Sequence, residues 1–224
     1  MIKNISNLGD AALYCDFGEE INKETNTQVI KYFKGIQKEN IEGINNLTPS
    51  YNKLIISFDL RKKNFKDLKK QIENLEIDES ESLKNKKVKV PVCRDESFSL
   101  DVERLEEKLK IKRDAIYEKF FNKEFFCYMT GFIAGMPFLG DLDINLRAKR
   151  LETPRVKVPK GSVGLTEQFA NIYTFESPGG WNIIGNTPIS IFDSSKENSP
   201  NLINPGDLII FKKITKDQYL NFND

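Results

Sequence analysis

The chemistry-bearing residues of this 224-residue chain gather between Gly131 and Asp193. In order they are Thr153-Pro-Arg155, Val158-Pro-Lys-Gly-Ser-Val-Gly164 and Glu176-Ser-Pro-Gly-Gly-Trp181. Two clusters pair glycine with serine: Gly161 with Ser162, and Ser177 with Gly179 and Gly180. Glycine lets a backbone approach a ligand closely, and successive N–H groups in such turns form anion-binding nests. Arg155 and Glu176 add one charge of each sign, so the set suits a small carboxylate or amide and an oxyanion formed from it. The same glycines and prolines also serve the corners of a tight β-barrel, and composition does not choose between the two. Ser162 and Ser177 are read first as hydrogen-bonding positions. A serine nucleophile here needs a lysine base such as Lys157 or Lys160.

Histidine is absent, which excludes a Ser-His-Asp triad, a Cys-His dyad and every His-ligated metal site. Cys15, Cys93 and Cys127 are widely spaced and odd in number, as expected of buried apolar residues in a reducing compartment. Thirty-four basic residues face 33 acidic ones, so no global field argues for nucleic acid or anionic lipid. The lysine-rich stretch from Arg61 to Lys70 is interleaved with acids and reads as a solvated helix face. Apolar runs are short, and the expectation is a cytoplasmic protein with no membrane span.

These residues need a scaffold, and the chain supplies two textures. The first 90 residues alternate short apolar strands with amphipathic helices. Strands are expected at Ala12–Phe17, 44–48, 53–58 and 87–93. One helix follows Asn22 and carries Val29, Ile30, Phe33 and Ile36; the other follows Asn64 and carries Phe65, Leu68, Ile72 and Leu75. Asp78–Lys86 reads as a loop. The order is that of a split βαβ unit, with a ferredoxin-like arrangement expected over residues 1–90. Helices around Leu100–Leu109 and Ala115–Phe120 lead into residues 91–224. There, short strands punctuated by Gly and Pro (125–132, 163–165, 172–175, 181–184, 189–192 and 208–211) predict a compact barrel or sandwich. A last helical turn is expected over 215–222. The fold class is α+β.

The motifs resemble those of the B-type component of bacterial ATP-dependent 5-oxoprolinase, the KipI-like or allophanate hydrolase subunit 1 family. The resemblance begins at Gly9-Asp-Ala-Ala-Leu13 and Phe17-Gly18. It continues through Pro49-Ser-Tyr51, Phe58-Asp59, Pro91-Val-Cys93, Gly131-Phe132, Pro137-Phe-Leu139 and the cluster above. It implies an α/β domain followed by a cyclophilin-like β-barrel. It also implies pairing with C-type and A-type subunits to open 5-oxoproline to L-glutamate at the expense of ATP, with Mg bound alongside it, in those partners if not here. In that chemistry Arg155 would hold a carboxylate or phosphate and Glu176 would position water or the lactam nitrogen. Backbone groups around Ser162 and Gly179-Gly180 would polarise the amide oxygen. One member instead inhibits a sensor histidine kinase, so a regulator is the alternative. Three stretches depart from the family pattern. Arg94–Asp101 replaces a glycine-rich run, Phe120 stands where members carry histidine, and Phe169-Ala-Asn171 replaces Gln-Thr-Gly.

Overall fold

The computed structural model describes residues 1–77, 85–197 and 199–222, and the chain divides into two compact units, 1–84 and 85–224. Most of the loop expected at Asp78–Lys86 lies outside the described residues.

In the first unit β1 (Asn4–Asn7), β2 (Ala12–Asp16), β3 (Ile44–Pro49) and β4 (Lys53–Phe58) form one antiparallel sheet in the order β1-β2-β4-β3. Strict alternation in β4 turns Leu54, Ile56 and Phe58 into the core, where Leu13 and Cys15 of β2 join them. Helix α1 (Lys23–Glu39) adds Val29 and Ile36, and α2 (Phe65–Glu73) adds Leu68 and Ile72. Both helices start at the expected caps: Asn22 Oδ1 accepts from the Thr25 N–H and Asn64 Oδ1 from the Asp67 N–H.

The strand expected to complete this unit does not belong to it. Residues 87–93 run in the second unit as β5 (Lys87–Cys93), parallel to the last barrel strand, so the division falls near residue 84 rather than 90. The sheet position beside β2, which the split βαβ order reserves for its last strand, is filled by β1. That strand is short and polar (Asn-Ile-Ser-Asn), with Ile5 alone buried, so its sequence carries little strand signal. Alternation identifies a strand without naming its partner, and here β5 buries Val88, Val90 and Val92 in the barrel instead.

The second unit is built on a closed barrel. After β5 come α3 (Val102–Leu109), α4 (Arg113–Phe121), β6 (Glu124–Thr130), β7 (Pro137–Gly140), β8 (Arg155–Val158), β9 (Ser162–Thr166), β10 (Phe169–Ile172), β11 (Ser177–Gly179), β12 (Asn182–Asn186), β13 (Leu208–Ile214) and α5 (Lys216–Leu220). Seven strands close in the order β10-β7-β6-β13-β5-β12-β9, while β8 and β11 form a separate two-stranded ribbon. The interior holds the β5 valines with Phe125, Leu139, Val163, Leu165, Ile184 and Phe211. Helices α3 and α4 contribute Leu105, Ile116 and Phe120 to it. Phe120 stacks on Phe211 with centroids 4.9 Å apart, so this departure from the family pattern is a core residue. The strand expected at 189–192 is only an isolated bridge from Phe192 to Asn201, whereas β7, β8 and β11 were not anticipated. Among the described residues no helix is long and apolar enough to cross a membrane.

Candidate functional site

The two glycine–serine motifs meet at Tyr173. Its backbone N–H donates to the Ser162 carbonyl (2.9 Å) and its carbonyl accepts from the Gly161 N–H (2.8 Å), which ties the first motif to the end of β10. Its side chain runs the other way, under the second motif. A Cβ on Gly179 would fall on the Tyr173 hydroxyl, closer than real side chains approach, so that position must be glycine. Gly180 leaves room for a different group: an added Cβ there would lie 3.2 Å from Nε and 3.3 Å from Nη2 of Arg150. The Gly-Gly pair thus admits a phenol at one residue and a guanidinium at the next.

Tyr173 is 1% exposed and packs with Met136, Val158 and Ile183 in a small cluster separate from the barrel interior. Trp181 packs against the same cluster, edge-on to Phe138 at 5.7 Å. Burial raises the Tyr173 pKa above its ordinary value, against hydrogen bonds from Asn171 and the Trp181 backbone and the positive charges of Arg150 and Arg155, which lower it.

The charged residues expected at the site do not converge. Arg155, at the start of β8, is clamped by Asp101: Nη1 to Oδ2 is 3.0 Å and Nη2 to Oδ1 is 2.6 Å. Asp101 is 3% exposed and also accepts from the Ile183 N–H at 2.7 Å. It precedes α3 but makes no side-chain cap bond there; its carboxylate is diverted to β8 and β12. A bidentate pair of this kind is strong and directional. Arg155 therefore fastens the ribbon to the barrel, and its two terminal nitrogens are already engaged. Glu176 is exposed and pairs with Lys157 across the ribbon at 2.9 Å, which raises the Lys157 pKa.

The expected backbone donors are also partly engaged. The Ser162 N–H donates to the Pro159 carbonyl at 3.2 Å, and Gly161, at φ +80°, packs so tightly that a Cβ would strike the Thr187 carbonyl. The Gly180 carbonyl accepts from the Leu151 N–H at 2.7 Å. Some side-chain atoms are left over as well. Asn171 Oδ1, Ser177 Oγ and Thr187 Oγ1 are buried without a hydrogen-bond partner. Such groups cost free energy unless a ligand or water meets them. Asn171 stands beside Gly164 in the β9–β10 register, with its amide nitrogen 3.8 Å from Met136 Sδ. Among the described residues no group of three or more Cys, Asp or Glu is placed to hold a metal ion.

Arg150, Tyr173 and Asp101 are residues of this region to which sequence reading gave no role. Asp101 and Arg155 are 54 residues apart, and nothing in either segment announces the pair. Tyr173 reads as one more strand aromatic. Arg150 stands in a polar stretch without periodicity.

The family described as "Carboxyltransferase domain, subdomain C and D" matches residues 3–203. The B-type component of the Bacillus subtilis 5-oxoprolinase is 31% identical, over 96% of this chain and 94% of that protein. The crystal structure of TTHA0988 superposes on 91% of this chain with a TM-score of 0.81 and 26% identity, and this chain spans only 40% of it. The urea amidolyase of K. lactis shares the fold (TM-score 0.80, 22% identity, 96% of this chain against 15% of that one).

Proposed function

Because the chain belongs to the carboxyltransferase subdomain C and D family, with B-type 5-oxoprolinase components among its relatives, we propose that it is the B-type subunit of an ATP-dependent 5-oxoprolinase. It acts with C-type and A-type subunits to open the lactam of 5-oxoproline to L-glutamate, water adding across the C–N bond as ATP is cleaved. The observation that carries this reading is the match along nearly the full length of both chains to a component of that name. The site is consistent with it: Tyr173, under the Gly179 turn, is hydrogen-bonded to the Asn171 amide and feels the charges of Arg150 and Arg155, the chemistry that recognises a compact carboxylated amide.

In this reading the chain binds and orients the lactam. Arg155, held by Asp101, fixes the β8–β11 ribbon and acts as a positioning residue. Glu176, paired with Lys157, orients water or the lactam nitrogen from the exposed end of the ribbon. Asn171 and Ser177 supply the unspent polar atoms that meet the amide. Backbone polarisation of the amide oxygen falls to Gly179 and Gly180, since the Ser162 N–H is engaged. ATP, with its Mg, is a substrate of the assembled complex, and these residues are assigned no role toward it.

Glutamate release from 5-oxoproline plus ATP, measured with the A- and C-type partners present, tests the reading. Release is expected with this chain and absent without it. Partners that are active with an ordinary B-type component, yet silent with this one, would overturn the assignment and turn attention to a sensor histidine kinase as the target.

A further inference from the structure

Resting on the reading above, we propose that Arg150 is the residue that takes the anionic oxygens of the substrate, namely the carboxylate of the lactam, at the Gly179-Gly180 turn. Arg155 opposite Gly179, Arg150 over Gly180 and Arg104 on Asn182 differ in what they already hold. Arg155 spends its terminal nitrogens on Asp101. Arg104 donates to Asn182 Oδ1, a neutral acceptor. Arg150 has neither an acid partner nor a hydrogen bond from its side chain among the described residues. Asp101 thus compensates Arg155, while Arg104 and Arg150 have no ion-pair partner among the described residues.

Arg150 is also held in place. Asn182 Nδ2 donates to the Lys149 carbonyl at 3.2 Å, and the Leu151 N–H donates to the Gly180 carbonyl at 2.7 Å. The residue between those anchors is thus fixed against the turn on both sides. Its guanidinium lies over Gly180, where a side chain would crowd it, and its charge acts on the buried Tyr173 phenol. A fixed backbone, a glycine cradle and an uncompensated planar fork suit a carboxylate or a phosphoryl group, both of which accept two parallel N–H bonds. The carboxylate is favoured because Tyr173, which the Arg150 charge reaches, is hydrogen-bonded to Asn171, whose buried Oδ1 suits an amide N–H rather than a second phosphate oxygen.

The test is steady-state kinetics of the assembled complex with Arg150→Gln and Gly180→Ala. Loss of a charge-assisted contact predicts a KM for 5-oxoproline raised about 10- to 100-fold in R150Q, with kcat and the KM for ATP little changed. Gly180→Ala, which displaces the guanidinium, should shift KM in the same direction by less. Binding of 2-pyrrolidinone, the same lactam without its carboxylate, should be equal in wild type and R150Q. A raised KM for ATP with an unchanged KM for 5-oxoproline would overturn the carboxylate assignment in favour of a phosphoryl group. Unchanged constants for both would overturn the site. If the wild-type complex releases no glutamate, the function fails separately, and the site is then judged by fluorescence of the lone Trp181 in the full chain. A saturable response to 5-oxoproline that R150Q abolishes supports the site, and a response to inorganic phosphate alone, or none, overturns it. Far-UV circular dichroism and thermal melting of each variant separate loss of binding from loss of fold.

Discussion

The two units differ in how many polar side chains they bury. Among the described residues the first unit buries two such side chains: Asn26 donates to the carbonyls of Ser50 and Tyr51, and Asn52 to those of Gly18 and Glu19, so each pins a turn. The second buries nine, from Asp101 to Asp207, and two of them, Asn171 and Thr187, have an oxygen with no partner. Unsatisfied buried side-chain atoms are not confined to the second unit, for Gln28 Oε1 of the first also has no hydrogen-bond partner. Two glycines of the second unit, Gly179 and Gly180, make room for a phenol and a guanidinium rather than merely turning the chain.

That contrast can be broken most severely at Asp101. Asp101→Ala strands the Ile183 N–H and releases Arg155, and is expected to cost about 3 kcal/mol, the lower end for a broken buried pair because Arg155 keeps some contact with water. Equilibrium urea unfolding measures it. A loss below about 1 kcal/mol would mean the pair is ornamental and would return Arg155 to the set of ligand contacts.

The matching deletion in the first unit, Leu68→Ala, removes a fully buried side chain and should cost a comparable amount, about 2–3 kcal/mol. Its purpose is contrast, for the affinity of the folded chain for 5-oxoproline, followed by Trp181 fluorescence, should be unchanged. A weakened affinity would show that the first unit takes part in the site.

Gly179→Ala sharpens the comparison within the second unit. Overpacking against Tyr173 should destabilise the chain by about 1–2 kcal/mol, and adding Tyr173→Phe should recover part of the loss, because removing the hydroxyl frees the space that the methyl needs. Strict additivity in the thermal melts of the double mutant would place the strain elsewhere.

The smallest effect is expected at α5. Asp95 accepts from Ser97 and from Lys216 of α5, and these contacts lower its pKa from 3.8 to about 2. A depressed carboxylate contributes stability that is complete above pH 3.8 and lost as pH falls toward 2. The helix buries none of its own residues and is also held by Tyr219, which packs at a tilt on Phe98 (4.4 Å) and donates to Asn186. Over that pH window the Phe98 and Tyr219 ring resonances should lose their mutual shifts by NMR before the barrel unfolds. Simultaneous loss of both would show that α5 is no weaker than the core.

Local pattern determined a good deal. The 3.6-residue spacing around Val29 and Leu68, the asparagine caps and the alternation in β4 and β5 announced their elements, since each depends on residues within a few positions. The absence of histidine bounded the chemistry, and the ordered motifs carried the family. Tertiary structure alone decided the rest, because it concerns partners distant in sequence. It placed β5 in the barrel and gave its expected edge to the weakly marked β1. It also joined Asp101 to Arg155 across 54 residues and set Tyr173 under one glycine and Arg150 over the next. A strand's sequence states that it will pair and which face it buries, but not with whom. A charged residue's sequence states that it can bind, but not whether the fold has already engaged it.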